Sequence, residues 1–231
     1  MEDHKQGNEL PAEVSAIRDA ISAFFDTPDQ MGRKIGSAVH GVYAFYDYDG
    51  EPIYVGQTYE KLRGRIGRHL TNQRTDAVAM NVLDPFEVAE IEIWPLDDEV
   101  AVLPTKASVK AFLDQAEYTV FQQVLRASTL GAVLNEKEMV PARPIGLPES
   151  FRQRIIPDDI FESRKHPDVR IARRANTIAN LARVISERSV SKGLRKTLLT
   201  QARRLELLAS QRLQELKIDD PAPPNAPRLR D

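Results

Sequence analysis

Cysteine is absent from all 231 residues, which excludes a disulfide scaffold and any thiolate metal site and suits a reducing compartment. No run of about 18 apolar residues occurs, so no segment reads as a membrane span. The polar, acidic start MEDHKQGNELP lacks the basic-then-apolar pattern of a secretory signal. A soluble, cytoplasmic protein without a membrane partner is expected. There is no internal repeat. Histidine is scarce too, with four in the chain. His40 and His166 have no second ligand at helical or hairpin spacing, which argues against a histidine metal centre.

An excess of one charge is also missing, since the net charge is −2, but the average hides a segregation. Residues 1–151 carry 14 Lys and Arg against 24 Asp and Glu, whereas residues 152–217 carry 16 against 7. A basic C-terminal part therefore follows an acidic one, and it meets either a polyanion or the acidic part itself. The length suits one well-buried domain with an appended element.

Along the chain, Val14, Ile17, Ile21 and Phe24 recur at helical spacing and predict a helix over about 11–26. GVYAFYDY and PIYVGQ are rich in Val, Ile, Tyr and Phe, and the intervening Asp49-Gly50 marks a β-hairpin turn. Leu62, Ile66 and Leu70 form one face of an amphipathic helix whose other faces hold Arg63, Arg65 and Arg68. FEVAEIEIWPL alternates as a strand. Val109, Phe112, Leu113, Ala116, Val120 and Val124 predict a further helix. Pro141, Pro144 and Pro148 interrupt regular structure. Beyond them, Ile171 to Ile185 and Leu194 to Leu216 read as two helices of an antiparallel hairpin.

The hairpin and the helix after it resemble the GIY-YIG endonuclease family. Gly41-Val42-Tyr43 matches the first tripeptide of that family and Tyr54-Val55-Gly56 the second. Arg65 and His69 match the arginine and the histidine or tyrosine of the helix that follows. Glu117 and Asn135 fill the family's glutamate and closing asparagine. Some members carry lysine directly after the second tripeptide, where this chain has Gln57. The resemblance implies an α+β fold, a small mixed or antiparallel sheet with flanking helices, to which the C-terminal helical hairpin is added. It implies a catalytic set of Tyr43, Tyr54, Arg65, His69, Glu117 and Asn135, and Mg²⁺ held by Glu117, with Mn²⁺ able to stand in. The expected divisions are 1–36, an N-terminal helix and loop packed on the core; 37–140, the nuclease domain; 141–151, a Pro-rich linker; 152–217, a basic helical extension; and 218–231, a disordered tail.

The chemistry of these residues suits that reading. Phosphodiester hydrolysis needs a deprotonated nucleophile, compensation for charge growing on phosphoryl oxygens, and help for the departing alkoxide. Arg65 offers a bidentate fork for phosphate. Glu117 is the one hard anionic ligand, and a single carboxylate with waters is a usual way to hold Mg²⁺. A tyrosine or His69 can serve as base, with Tyr43 acting together with His69 preferred. The expected partner is double-stranded DNA. Arg63, Arg68, Arg173, Arg174, Arg195, Lys196, Arg203 and Arg204 are candidate phosphate contacts; the recognition site is not legible, because base readout depends on the placement of loops such as 72–85.

The size and short extension most resemble the type II restriction branch, which acts on palindromic sites as a homodimer and leaves 5′-phosphate and 3′-hydroxyl ends. The alternatives are a structure-selective repair or mobile-element nuclease, and a non-catalytic DNA-binding module of the same fold. The apolar stripes of the C-terminal helices fit packing within the chain or a pairing across a dimer.

Overall fold

A computed structural model describes residues 12–70, 84–134, 139–187, 189–190 and 192–218. Helix α1 (Ala12–Phe25) precedes the hairpin of β1 (Gly41–Tyr46) and β2 (Pro52–Thr58), which leads into α2 (Leu62–Leu70). Then come β3 (Glu90–Pro95), a short α3 (Asp97–Ala101), the long α4 (Lys106–Ala127), β4 (Phe151–Arg154), α5 (Asp158–Lys165), α6 (Pro167–Glu187) and α7 (Lys192–Glu215). The strands form one antiparallel sheet in the order β2-β1-β3-β4. This is the expected α+β architecture. The helices α3 and α5 and the strand β4 were not foreseen.

Strand alternation sends side chains to two cores. On one face, Tyr43, Phe45, Ile53, Ile91 and Ile93 pack with Phe24 and Phe25 of α1 and with Leu62 and Ile66 of α2. On the other, Val42, Ala44, Val55 and Trp94 pack against Leu113, Ala116, Val120 and Val124 of α4. Thr105 caps α4 through a reciprocal pair with Ser108, which fixes where the helix starts. Gly50 turns the hairpin at φ 72°, a conformation that glycine adopts without strain.

The C-terminal part is not an appendage. Residues 141–150 run as an extended strap, as a proline-rich segment should, but Phe151 opens a strand paired to β3 from Ile93↔Phe151 to Glu90↔Arg154. The expected division at 151/152 thus falls inside the sheet. Leu181 and Val184 of α6 and Leu194 of α7 join the first core, so part of their apolar stripe is covered within the chain, while Leu216 at its far end is exposed. The rest of the 218–231 segment beyond Ile218 lies outside the described residues.

Charge joins these parts as well. Asp47, in the turn after β1, is 2% exposed and accepts the backbone N–H groups of Asp49 and Glu51 at 2.9 and 3.0 Å. Its Oδ2 also receives Arg174 at 2.8 Å and Arg170 at 3.2 Å, with Arg204 at 3.9 Å. Glu87 takes Arg174 at 3.2 Å, and burial pushes its carboxyl above the usual range. Arg204 donates to the Pro52 carbonyl at 2.5 Å, and Arg174 to the Arg204 carbonyl at 3.0 Å. Arg174 and Arg204, expected on a DNA-facing surface, are therefore buried counter-ions of the acidic turn. A helix-face arginine is free for phosphate only if no carboxylate within the fold claims it first.

Removing one partner of a buried charge cluster strands the others and typically costs about 3–5 kcal/mol. Asp47→Ala should lose stability of that order, read by urea unfolding; a loss under about 1 kcal/mol would mean that the cluster is solvated. A chain ending at residue 150 should lack a cooperative unfolding transition, because it loses β4 and the helices that cover the first core. Calorimetry checks this, and a sharp transition in the truncated chain would restore the separable-extension reading.

Candidate active site

The tyrosines lie on adjacent strands because β1 and β2 pair with Tyr43 opposite Gly56 and Phe45 opposite Tyr54. Tyr43 is fully buried, and its hydroxyl lies 2.9 Å from Nε2 of His69, itself buried near the end of α2. The ring centroids of Tyr43 and Tyr54 are 6.1 Å apart, and that of His69 is 5.5 Å from Tyr43 and 5.3 Å from Tyr54. Nε of Arg65, one turn before His69, donates to the Tyr43 hydroxyl at 3.4 Å. Spacing four on α2 thus delivers both side chains to one place.

Gly56 makes this approach possible. A Cβ there would stand 2.6 Å from the Tyr43 hydroxyl and 2.9 Å from the Tyr54 ring. The glycine of the second tripeptide is a spatial requirement of the tyrosine pair, and that of the first is comparable, with the Trp94 carbonyl at 2.8 Å from its missing Cβ.

Glu117 approaches from α4, on the other side of the edge strand β2. Burial raises its carboxyl to about 7, assisted by the charge of Asp114; the side chain and backbone N–H of Gln57, and Arg65, pull the other way. Asp114 departs in the opposite direction. Burial works against its charge, but hydrogen bonds from Lys110 and Gln57 prevail and hold it below the usual range. Two carboxylates three residues apart are thereby pushed towards different protonation states, a common mark of functional sites.

Glu117 makes no ion pair among the described residues, and Oε1 of the neighbouring Gln57 is buried without a hydrogen-bond partner. A carboxylate with no ion pair among the described residues, beside a buried amide oxygen, fits a hard divalent cation such as Mg²⁺. Glu117 would hold it.

Tyr43, Tyr54, Arg65 and His69 therefore come together, with Glu117 close enough to feel the charge of Arg65. Asn135 lies outside the described residues, as does most of the 72–85 loop. Arg63 pairs with Asp26 and donates to Ser22 at 3.0 Å, docking α1 on α2. Arg68 pairs with Glu60. Arg173 is partly covered, 3.8 Å from Glu87. Arg195, Lys196 and Arg203 are exposed on α7. Sequence reasoning missed Asp114, although its place one turn before Glu117 was a readable signal.

Two tyrosines on neighbouring strands, an arginine and a histidine on one helix and a glutamate on another thus gather near β2. Residues 39–127 match the model of the GIY-YIG catalytic domain. The match supports the GIY-YIG family for this part of the chain and points to a nuclease. No curated protein and no solved structure matches the chain.

The raised Glu117 carboxyl predicts a stability difference in metal-free protein. Below the ordinary glutamate value both folded and unfolded states hold the proton, and no cost arises. Between that value and about 7 the unfolded state ionises first, so the cost to the fold grows with pH and levels off above. Glu117→Gln should therefore match the wild type near pH 4 and exceed it above pH 7 by at most about 3 kcal/mol. Thermal unfolding across pH in a chelating buffer checks this; a variant no more stable than wild type at pH 8 would contradict it.

Proposed function

We propose that this protein is a Mg²⁺-dependent DNA endonuclease that hydrolyses phosphodiester bonds to 5′-phosphate and 3′-hydroxyl ends, and that it is a site-specific restriction enzyme acting as a homodimer on double-stranded DNA. The observation that carries the reading is the Tyr43–His69–Arg65 cluster lying beside β2 with Glu117 across it. A cation at Glu117 would supply charge compensation for the departing 3′ oxygen.

The residues of the cluster divide the remaining work. The hydroxyl of Tyr43 takes the proton of an attacking water as it passes its own to Nε2 of His69, which has an intrinsic pKa suited to accepting it near neutrality. Arg65, donating towards the Tyr43 oxygen, lowers the cost of phenolate character there and holds phosphate oxygens with the rest of its fork. Tyr54 packs the histidine ring in place.

Restriction is favoured over structure-selective repair by the way the basic extension is used. Repair and mobile-element nucleases normally need a separate targeting domain, whereas α6 and α7 are folded into the core and spend two of the expected DNA contacts, Arg174 and Arg204, on internal carboxylates. The exposed Arg195, Lys196 and Arg203 keep a basic face for the backbone of DNA.

Plasmid DNA incubated with Mg²⁺ should give discrete fragments with ligatable 5′-phosphate ends; nicks or smears favour the repair reading, and no cleavage favours the binding module. Arg65→Ala should reduce the rate about a thousandfold, the usual worth of a group that stabilises developing charge, with DNA affinity largely kept. A loss below about tenfold would transfer the role to Arg68.

A further inference from the structure

The C-terminal end of β2 has an exposed lysine on each side of it. Lys61 stands where the chain turns from β2 into α2, and its carbonyl accepts the Arg65 N–H at 3.0 Å, so it precedes that arginine by one helical turn. Lys110 lies on α4, two turns or about 10 Å before Glu117 and on the same helix face. That face is turned to β2: Nζ of Lys110 donates to Oδ2 of Asp114 at 2.5 Å, and Oδ1 of Asp114 accepts from Nε2 of Gln57 at 2.8 Å. We propose that Lys61 and Lys110 form a phosphate clamp that holds the backbone of the cut DNA strand on the two sides of the cleaved bond. This rests on the reading of the site as that of a DNA nuclease.

Three observations support the assignment. Lys61 is exposed and has no ion pair among the described residues, and the acid beside it, Glu60, is taken by Arg68. Its charge is uncompensated, whereas Arg63 and Arg68 of the same helix are engaged by Asp26 and Glu60. Lys110 does have a partner, but the pair it makes with Asp114 joins side chains 68% and 41% exposed at spacing four. Such a pair is weak enough for a phosphate to take the lysine over, so Asp114 keeps the ammonium beside β2 without committing it. Finally, residues 1–151 hold 14 basic side chains against 24 acidic ones, so this part of the chain repels a polyanion on average and needs local cations where the DNA enters. Tyr59, half exposed between Gln57 and Lys61 in the chain, adds a hydroxyl of the kind that donates to phosphate.

Binding of the full chain to a DNA duplex of mixed sequence, followed by fluorescence anisotropy across salt concentrations in a chelating buffer, tests the clamp. Lys61→Gln and Lys110→Gln should each take about 0.9 off the slope of log affinity against log salt, and the double variant about 1.8. Thermal unfolding of these variants should match the wild type, since both side chains lie in solvent. Where end sequencing has mapped a cut, a neutral methylphosphonate in place of a phosphate beside it should slow cleavage by the wild type and have little further effect on the variant lacking the matching lysine. A salt slope equal to that of the wild type in either lysine variant overturns the clamp, and so does a methylphosphonate penalty that both variants keep in full. A wild-type chain that shows no salt-dependent binding to the duplex overturns instead the nuclease reading on which the clamp rests.

Discussion

Asp47 is the point on which the rest of the structure depends. A single carboxylate at the end of β1 shapes the hairpin turn through two backbone N–H groups and also receives arginines from α6 and α7. Neighbouring Glu51 extends the same node, accepting from the Thr129 and Leu130 backbone after α4 at 2.9 and 3.2 Å. The hairpin that supplies both tyrosines, the helix that supplies Glu117 and the C-terminal helices therefore converge on one turn. Such clusters contribute little net stability over a well-packed apolar core, but they penalise any arrangement that leaves a member alone. Here they specify how the later helices sit on the sheet.

The active site has a related logic. Its residues come from both faces of the sheet and meet around β2, one of the two outer strands in the order β2-β1-β3-β4. The glycine of this strand lets the tyrosine of the neighbouring strand stand close. The proposed proton-accepting side is built on a buried hydrogen bond, and the proposed cation-holding side on a half-buried carboxylate. Keeping these functions on separate elements allows each its own local dielectric.

What was legible in the sequence follows from what is local. The hairpin, α2 and α4 were readable because periodicity and turn chemistry operate within a few residues, and the site residues on them could be placed by counting. The strand Phe151-Arg152-Gln153-Arg154 was not, since its outward face is charged and its pairing with β3 spans some sixty intervening positions. Burial of Arg170, Arg174 and Arg204 was equally hidden: arginine on a helix reads as solvent-facing until its distant carboxylates are known. The charge segregation did carry the message, because a basic part beside an acidic part implies that they meet, and they do. Only the choice between an internal and an external polyanion needed coordinates.

The chain's one tryptophan, Trp94, sits on β3 at 6% exposure in the layer that α4 covers. With no other indole to contribute, ultraviolet emission excited at the red edge comes from this position alone. Its wavelength reports whether the helix bearing Glu117 is seated on the sheet or has let water in beneath it. The protein thus carries a native optical gauge of how α4 seats on the sheet, readable without a label and on the timescale of mixing.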